Sequence, residues 1–148
     1  MIAASSTLCF AQTMTIDRAL DTGVAFLVQH LPRGMKVAAH INAPNDVMGQ
    51  YLTDKLLLRL IYDSAFIVVK QDRGELQRIA DKLGYKLTGF VSDEIMLSIS
   101  RHLDAQLLIT GELSRRYKEG YRFTIKVLDV ETAHILCQWQ RENIQFVN

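Results

Sequence analysis

The feature that most constrains the fold is a strict alternation near the C-terminus. Tyr121, Phe123, Ile125 and Val127 are apolar or aromatic, while Arg122, Thr124 and Lys126 between them are polar or charged. A period of two puts each set on its own face of a β-strand. Such a strand needs neighbours on its edges and an apolar layer over one face. Gln106 to Leu113 before it is largely apolar, and Ile135 to Gln145 after it is also strand-like. Lys118-Glu119-Gly120 and Glu131-Thr132-Ala133 supply the turns. The chain is therefore expected to end in a three-stranded antiparallel meander, which the core sheet uses up and which is short.

The cover must come from upstream, where the hydrophobic period changes to 3.6. Ile16, Leu20, Val24, Leu27 and Leu31 form one helical stripe, ended by Pro32 and Gly34. Met35 to Ile41 reads as a strand covered on both faces. Asn45 or Asp46 caps a helix over Val47 to Tyr62, in which Leu57, Leu58 and Ile61 widen the apolar side. Ala65 to Val69 is a second strand, rich in β-branched residues. Asp72-Arg73-Gly74-Glu75 fits a capping box, and Gly84 stands where a helix C-cap glycine belongs. Ser92, followed by Asp93 and Glu94, opens a further helix that buries Ile95, Met96, Ile99 and Leu103. The order predicts an α/β (α+β) domain: a mixed sheet flanked by helices, closed by the antiparallel meander.

A length of 148 residues with 49% hydrophobic and 22% charged side chains suits one domain with one core. A formal net charge of +1 gives no global field toward nucleic acid or an anionic membrane, so no nucleic-acid partner is expected. Residues 1–11, MIAASSTLCFA, resemble the end of a secretory signal, with cleavage before Gln12. They are too short to span a bilayer as a helix, and no transmembrane helix is expected. Leu8 precedes Cys9 where a lipidated cysteine follows a small residue, which weighs against a lipid anchor. Residues 12–34 are then an N-terminal amphipathic helix and 35–148 the α/β domain. The two cysteines, Cys9 and Cys137, do not form a disulfide framework, and Cys137 reads as a small buried hydrophobe.

No catalytic constellation is legible. The four histidines, His30, His40, His102 and His134, lack metal-ligand spacing, and no metal or other cofactor is expected. There is no nucleophile elbow or phosphate-binding glycine loop. The carboxylates of Asp93, Glu94, Asp129 and Glu131 fall in caps and turns. The densest cluster of charge is Arg115, Arg116, Tyr117, Lys118, Tyr121 and Arg122, diluted by Glu112 and Glu119. Tyrosine and arginine anchor protein interfaces well, so these six residues are the candidate partner surface, against the plainer role of a solvated hairpin tip.

Five segments, GQYLTDKLLLRLI, FIVVKQDRGELQRI, LTGFVSDEIMLSI, AQLLITGELS and YRFTIKVLDVETAHI, together resemble the CsgG/LpoB-type bacterial envelope domain. The resemblance runs from about Met35 to Phe146. It implies a non-enzymatic protein of the periplasm or the outer-membrane face. Such a protein binds a protein partner, as an activator of a penicillin-binding protein (a peptidoglycan synthase) or as the periplasmic domain of a curli-type secretion subunit. A self-assembling, homo-oligomeric structural subunit is the alternative. Two departures stand out. Many relatives read Gly-x-x-Leu-Gly-Ala before the third strand, where this chain has Ser100, Leu103, Asp104 and Ala105, and Lys70-Gln71 is an apparent insertion.

Overall fold

The computed structural model describes residues 13–87, 89–116 and 120–146. The elements are β1 (Met14–Thr15), α1 (Ile16–His30), β2 (Lys36–Asn42), α2 (Asp46–Asp63), β3 (Ile67–Val68), α3 (Arg73–Leu83), α4 (Asp93–His102), β4 (Leu107–Arg116), β5 (Gly120–Asp129) and β6 (Ile135–Gln145). They build one six-stranded mixed sheet in the order β1-β6-β5-β4-β2-β3. β2 runs parallel to β3 and β4, the β4–β5–β6 meander is antiparallel, and β1 runs parallel to the end of β6.

Local chemistry sets the helix ends. Thr15, Asn45, Asp72 and Ser92 each accept the backbone N–H three residues on, satisfying a donor that the first turn leaves free. Only half of the expected capping box forms at α3. Asp72 caps the Glu75 N–H, but the Glu75 carboxylate pairs with Arg78 instead of reaching back. Gly84 ends α3 in the left-handed region at φ 80°. Asp104 holds a similar conformation, φ 60°, and Ser100, four residues before it, is fully buried. The aspartate fills the left-handed site because its short side chain tolerates it better than most.

The sheet has two unlike faces. On one, α1 and α2 cover the whole width, and Leu20, Leu27, Leu52, Leu56 and Leu60 pack on Ile41, Ile109, Phe123, Ile125 and Trp139. Each such side chain contributes about 1.5–3 kcal/mol when fully buried. α1 thus belongs to the same core as the meander. It approaches the sheet so closely at Gly23 that a Cβ there would lie 2.6 Å from Ile125 Cδ1. On the other face, α3 and α4 cover only Ala38, Leu108, Leu128 and Val130. The domain has three layers at that end and two over the rest of the meander. Cys137 is half-buried against the first core, where burial raises its thiol pKa.

The second strand is shorter than its β-branched composition predicts. β3 keeps two residues, and side chains finish the job of satisfying the β2 edge. Val69 N–H still bonds Val37 O. Beyond it the Gln71 amide mimics a strand residue: Ala39 N–H donates to its Oε1 at 2.9 Å, and its Nε2 donates to Ala39 O at 2.8 Å. Ile41 N–H then donates to Thr53 Oγ1 at 3.0 Å. The apparent insertion therefore carries a structural function.

The meander is not short: its strands have 10, 10 and 11 residues. The reason is that β4 and β5 continue pairing past the helical cover, out to Arg116 opposite Gly120. The apolar face of β5 is consumed by the core as expected, with Phe123, Ile125 and Val127 fully buried.

Candidate protein-binding surface

The uncovered part of the sheet is the face opposite α1 and α2. Pairing register places Thr110, Glu112, Thr124, Lys126 and Gln138 together on it, next to the N-terminus of α4. They line a groove of about 380 Å³ bordered by Phe90 and Ile135, whose side chains are 69% and 55% exposed. Phenylalanine is among the side chains enriched at protein interfaces.

Among the described residues, most charges on this face are paired, Glu112 being the exception. Lys126 Nζ lies 2.6 Å from Asp93 Oδ2, tying β5 to α4. Arg122 Nε lies 2.6 Å from Glu142, which Arg116 also approaches at 3.9 Å. Thr124 Oγ1 donates to Gln140 Oε1 at 3.1 Å. The face is a mosaic of both signs, well suited to directional polar contacts.

The structure divides the six residues singled out in the sequence. Arg116 and Arg122 lie on the open face. Arg115 and Tyr121 lie on the opposite one, where the Arg115 guanidinium sits 5.1 Å from the Tyr121 ring centroid and donates to its hydroxyl at 3.1 Å. Tyr121 in turn packs edge-on against Phe146, centroids 5.5 Å apart. Tyr117 and Lys118 lie outside the described residues. What looked like one basic cluster is thus two pairs on two faces, and the open-face pair is offset by Glu142. The sequence missed Glu142 because a bulge between Tyr121 and Phe123 decides which β6 residue stands opposite Arg122. Phe90 and Ile135 were missed for a related reason: loop and strand end are 45 residues apart along the chain and meet only in the folded groove.

The groove wall is held from behind. The Asn42 side chain is buried and latches the loop before α4: Val91 N–H donates to Oδ1 at 3.0 Å and Nδ2 donates to Val91 O at 2.8 Å. The same Oδ1 is 3.2 Å from His40 Nε2. Because Asn42 orientation is fixed by Val91, His40 must carry its proton on Nε2 to bond there. Burial lowers the His40 pKa, opposed by this bond and reinforced by the Arg73 charge. Asp129 is a turn cap, accepting the N–H groups of Thr132 and Glu131, and the Thr132 bond is the main cause of its lowered pKa. Among the described residues no group of three or more His, Cys, Asp or Glu is placed to hold a metal ion, and no helix is long and apolar enough to cross a membrane.

No protein-family model and no curated protein matches the sequence. Solved structures do. The LpoB C-terminal domain from Escherichia coli superposes with a TM-score of 0.68 at 14% identity, over 85% of this chain and 96% of that one. The LpoB C-terminal domain from Salmonella enterica gives 0.67 at 16% identity, over 82% and 93%. A lipoprotein from Neisseria meningitidis gives 0.55 at 6% identity, over 76% and 81%. At such identities the likeness concerns architecture, and the chain has the fold of the LpoB C-terminal domain.

Proposed function

We propose that this chain is a non-enzymatic protein of the bacterial envelope, periplasmic or outer-membrane-associated, that binds a protein partner through the open face of its sheet. The observation that carries the reading is that uncovered face, with Phe90 and Ile135 flanking a polar floor. The shared fold with LpoB supports a peptidoglycan synthase as the partner, following the resemblance seen in the five sequence segments. Of the six residues singled out in the sequence, Arg116 and Arg122 belong to this surface. The test is surface plasmon resonance of the purified chain against a bifunctional peptidoglycan synthase from the same envelope, with glycan polymerisation followed in parallel. Saturable binding that Phe90→Ala and Arg122→Glu each weaken supports the reading. Binding unchanged by both, or no binding to the synthase, overturns it.

A second reading, the self-assembling subunit, is favoured by one feature. Among the described residues, β1 pairs only with Ile144 and Gln145, leaving the outer edge of β6 from Ile135 to Glu142 without a strand partner. Open edges template strand addition between copies. Sedimentation equilibrium decides it: a single monomeric species at high concentration removes this reading.

A further inference from the structure

Helix α2 is apolar on two opposite sides. Leu52, Leu56 and Leu60 point into the core and are fully buried. Val47, Tyr51, Leu58, Ile61 and Tyr62 are exposed, from 45% at Tyr51 to 93% at Tyr62. At 100° per residue these five fall within an arc of about 100° on the solvent side, over about 22 Å of helix. They make up five of the nine large apolar side chains exposed among the described residues. Leu58 and Tyr62 also form one wall of a groove of about 500 Å³, whose other wall is Val24 and Ala25 of α1. Scattered exposed apolar side chains need no explanation, but five on one side of a helix beside a groove do.

Charge selects among the occupants. Asp21 and Asp63 line the groove, with Asp17 on α1 and Asp54 on the stripe itself. Facing them, Arg59 is engaged by Asp21 at 2.7 Å and Asp17 at 3.5 Å, and Lys55 lies over the Tyr51 ring. Arg18, seven residues before Ala25 on α1, lies on the same side of that helix as the groove. Asp17, Asp21, Asp54 and Asp63 still outnumber Arg18, Lys55 and Arg59 along the stripe and groove, by one charge. An isologous contact with a second copy would set these carboxylates against each other, and an anionic lipid surface would be repelled in the same way. We infer that the α1/α2 groove and the α2 stripe form a second docking surface, and that its occupant is an amphipathic helix with an apolar row and basic flanks. The mode is helix-in-groove recognition, with anchors at helical spacing entering between Leu58, Tyr62, Val24 and Ala25. It lies on the other side of the sheet from the open face, so both can be engaged at once.

The probe is a synthetic helical peptide of about five turns, leucines on one face and lysines and arginines on the other, with a glutamate-flanked counterpart. Amide chemical-shift mapping on the 148-residue chain gives site and affinity. The basic peptide is expected to shift Val24, Leu58 and Tyr62, to bind at least about tenfold tighter than the acidic one, and to lose at least that factor in Leu58→Asp. Phe90→Ala, on the open face, leaves the peptide affinity unchanged, which separates this proposal from the partner reading above. Equal binding of both peptides, or shifts confined to the open face, overturns it. So does a dimer in sedimentation or association with phosphatidylglycerol vesicles, if Leu58→Asp abolishes either. Circular dichroism confirms that Leu58→Asp folds, and Tyr62→Ala serves as the milder second variant.

Discussion

Replacing Asn42 by alanine tests how the second helical layer is attached to the sheet. The side chain makes two hydrogen bonds to the Val91 backbone, at 3.0 and 2.8 Å, and a third to His40 Nε2 at 3.2 Å. Val91 is 1% exposed, so water cannot easily replace the lost partner. Each bond is worth about 1 kcal/mol net, and each buried backbone group left unpaired costs about 1–3 kcal/mol. With some relaxation of the loop, Asn42→Ala should destabilise the fold by about 2–4 kcal/mol. At a slope of about 1–3 kcal/mol per molar urea, the midpoint should fall by about 1–2 M. The thermal midpoint should fall by roughly 5–15 °C. Urea unfolding followed by far-UV circular dichroism measures the loss, and hydrogen exchange locates it. The Val91 and Ile95 amides should lose protection first, because Ser92 caps Ile95 just beyond the latch. Gln140→Ala, an exposed change on the same sheet, should stay within about 0.5 kcal/mol. If Asn42→Ala shifts stability no more than that control, the latch is not what fixes α4 to the sheet.

Four further outcomes follow from the same geometry. Gln71→Ala strips the partners from Ala39 N–H and O and should cost about 1–3 kcal/mol in urea unfolding, whereas the neighbouring Lys70→Ala should cost little. Gly23→Val forces a side chain onto Ile125 and should lower stability by about 1–3 kcal/mol, read from the thermal midpoint. The folded-state pKa of His40 lies below its ordinary 6.5, so on acidification the unfolded chain takes up the proton first. The His40 contribution to stability is therefore complete above pH 6.5 and declines as the pH falls from there toward the folded pKa; His40→Gln should flatten that part of a urea-midpoint-against-pH curve. Arg122→Glu breaks a half-exposed ion pair and places two carboxylates together; it should change stability by no more than about 1 kcal/mol while weakening the proposed partner binding, a split that a misfolded variant would not show.

The candidate surface was partly legible before the structure. Arg116 and Arg122 stand in a local cluster of basic and tyrosine side chains, and register puts both on the open face. Arg115 and Tyr121 were grouped with them because sequence proximity cannot report which side of a strand a residue faces until the register is known. Asn42, Lys126 with Asp93, Phe90 and Ile135 were not grouped at all, since nothing local marks residues that meet across the fold.

The amino-acid sequence by itself determined the helices with their caps and the facing of β5. Thr15, Asn45, Asp72, Ser92 and Gly84 act on backbone groups within a turn of themselves, and the alternation from Tyr121 to Val127 orients β5 with no outside help. These are short-range effects, so a local pattern encodes them fully. Tertiary structure alone decided the sheet order β1-β6-β5-β4-β2-β3, the use of Gln71 and Thr53 in place of a longer β3, and the offset of Arg122 by Glu142. Each of these satisfies a group on one element with a group from another. The matching partner is chosen by packing and register, which come into being only when the two helical layers and the sheet close on one another.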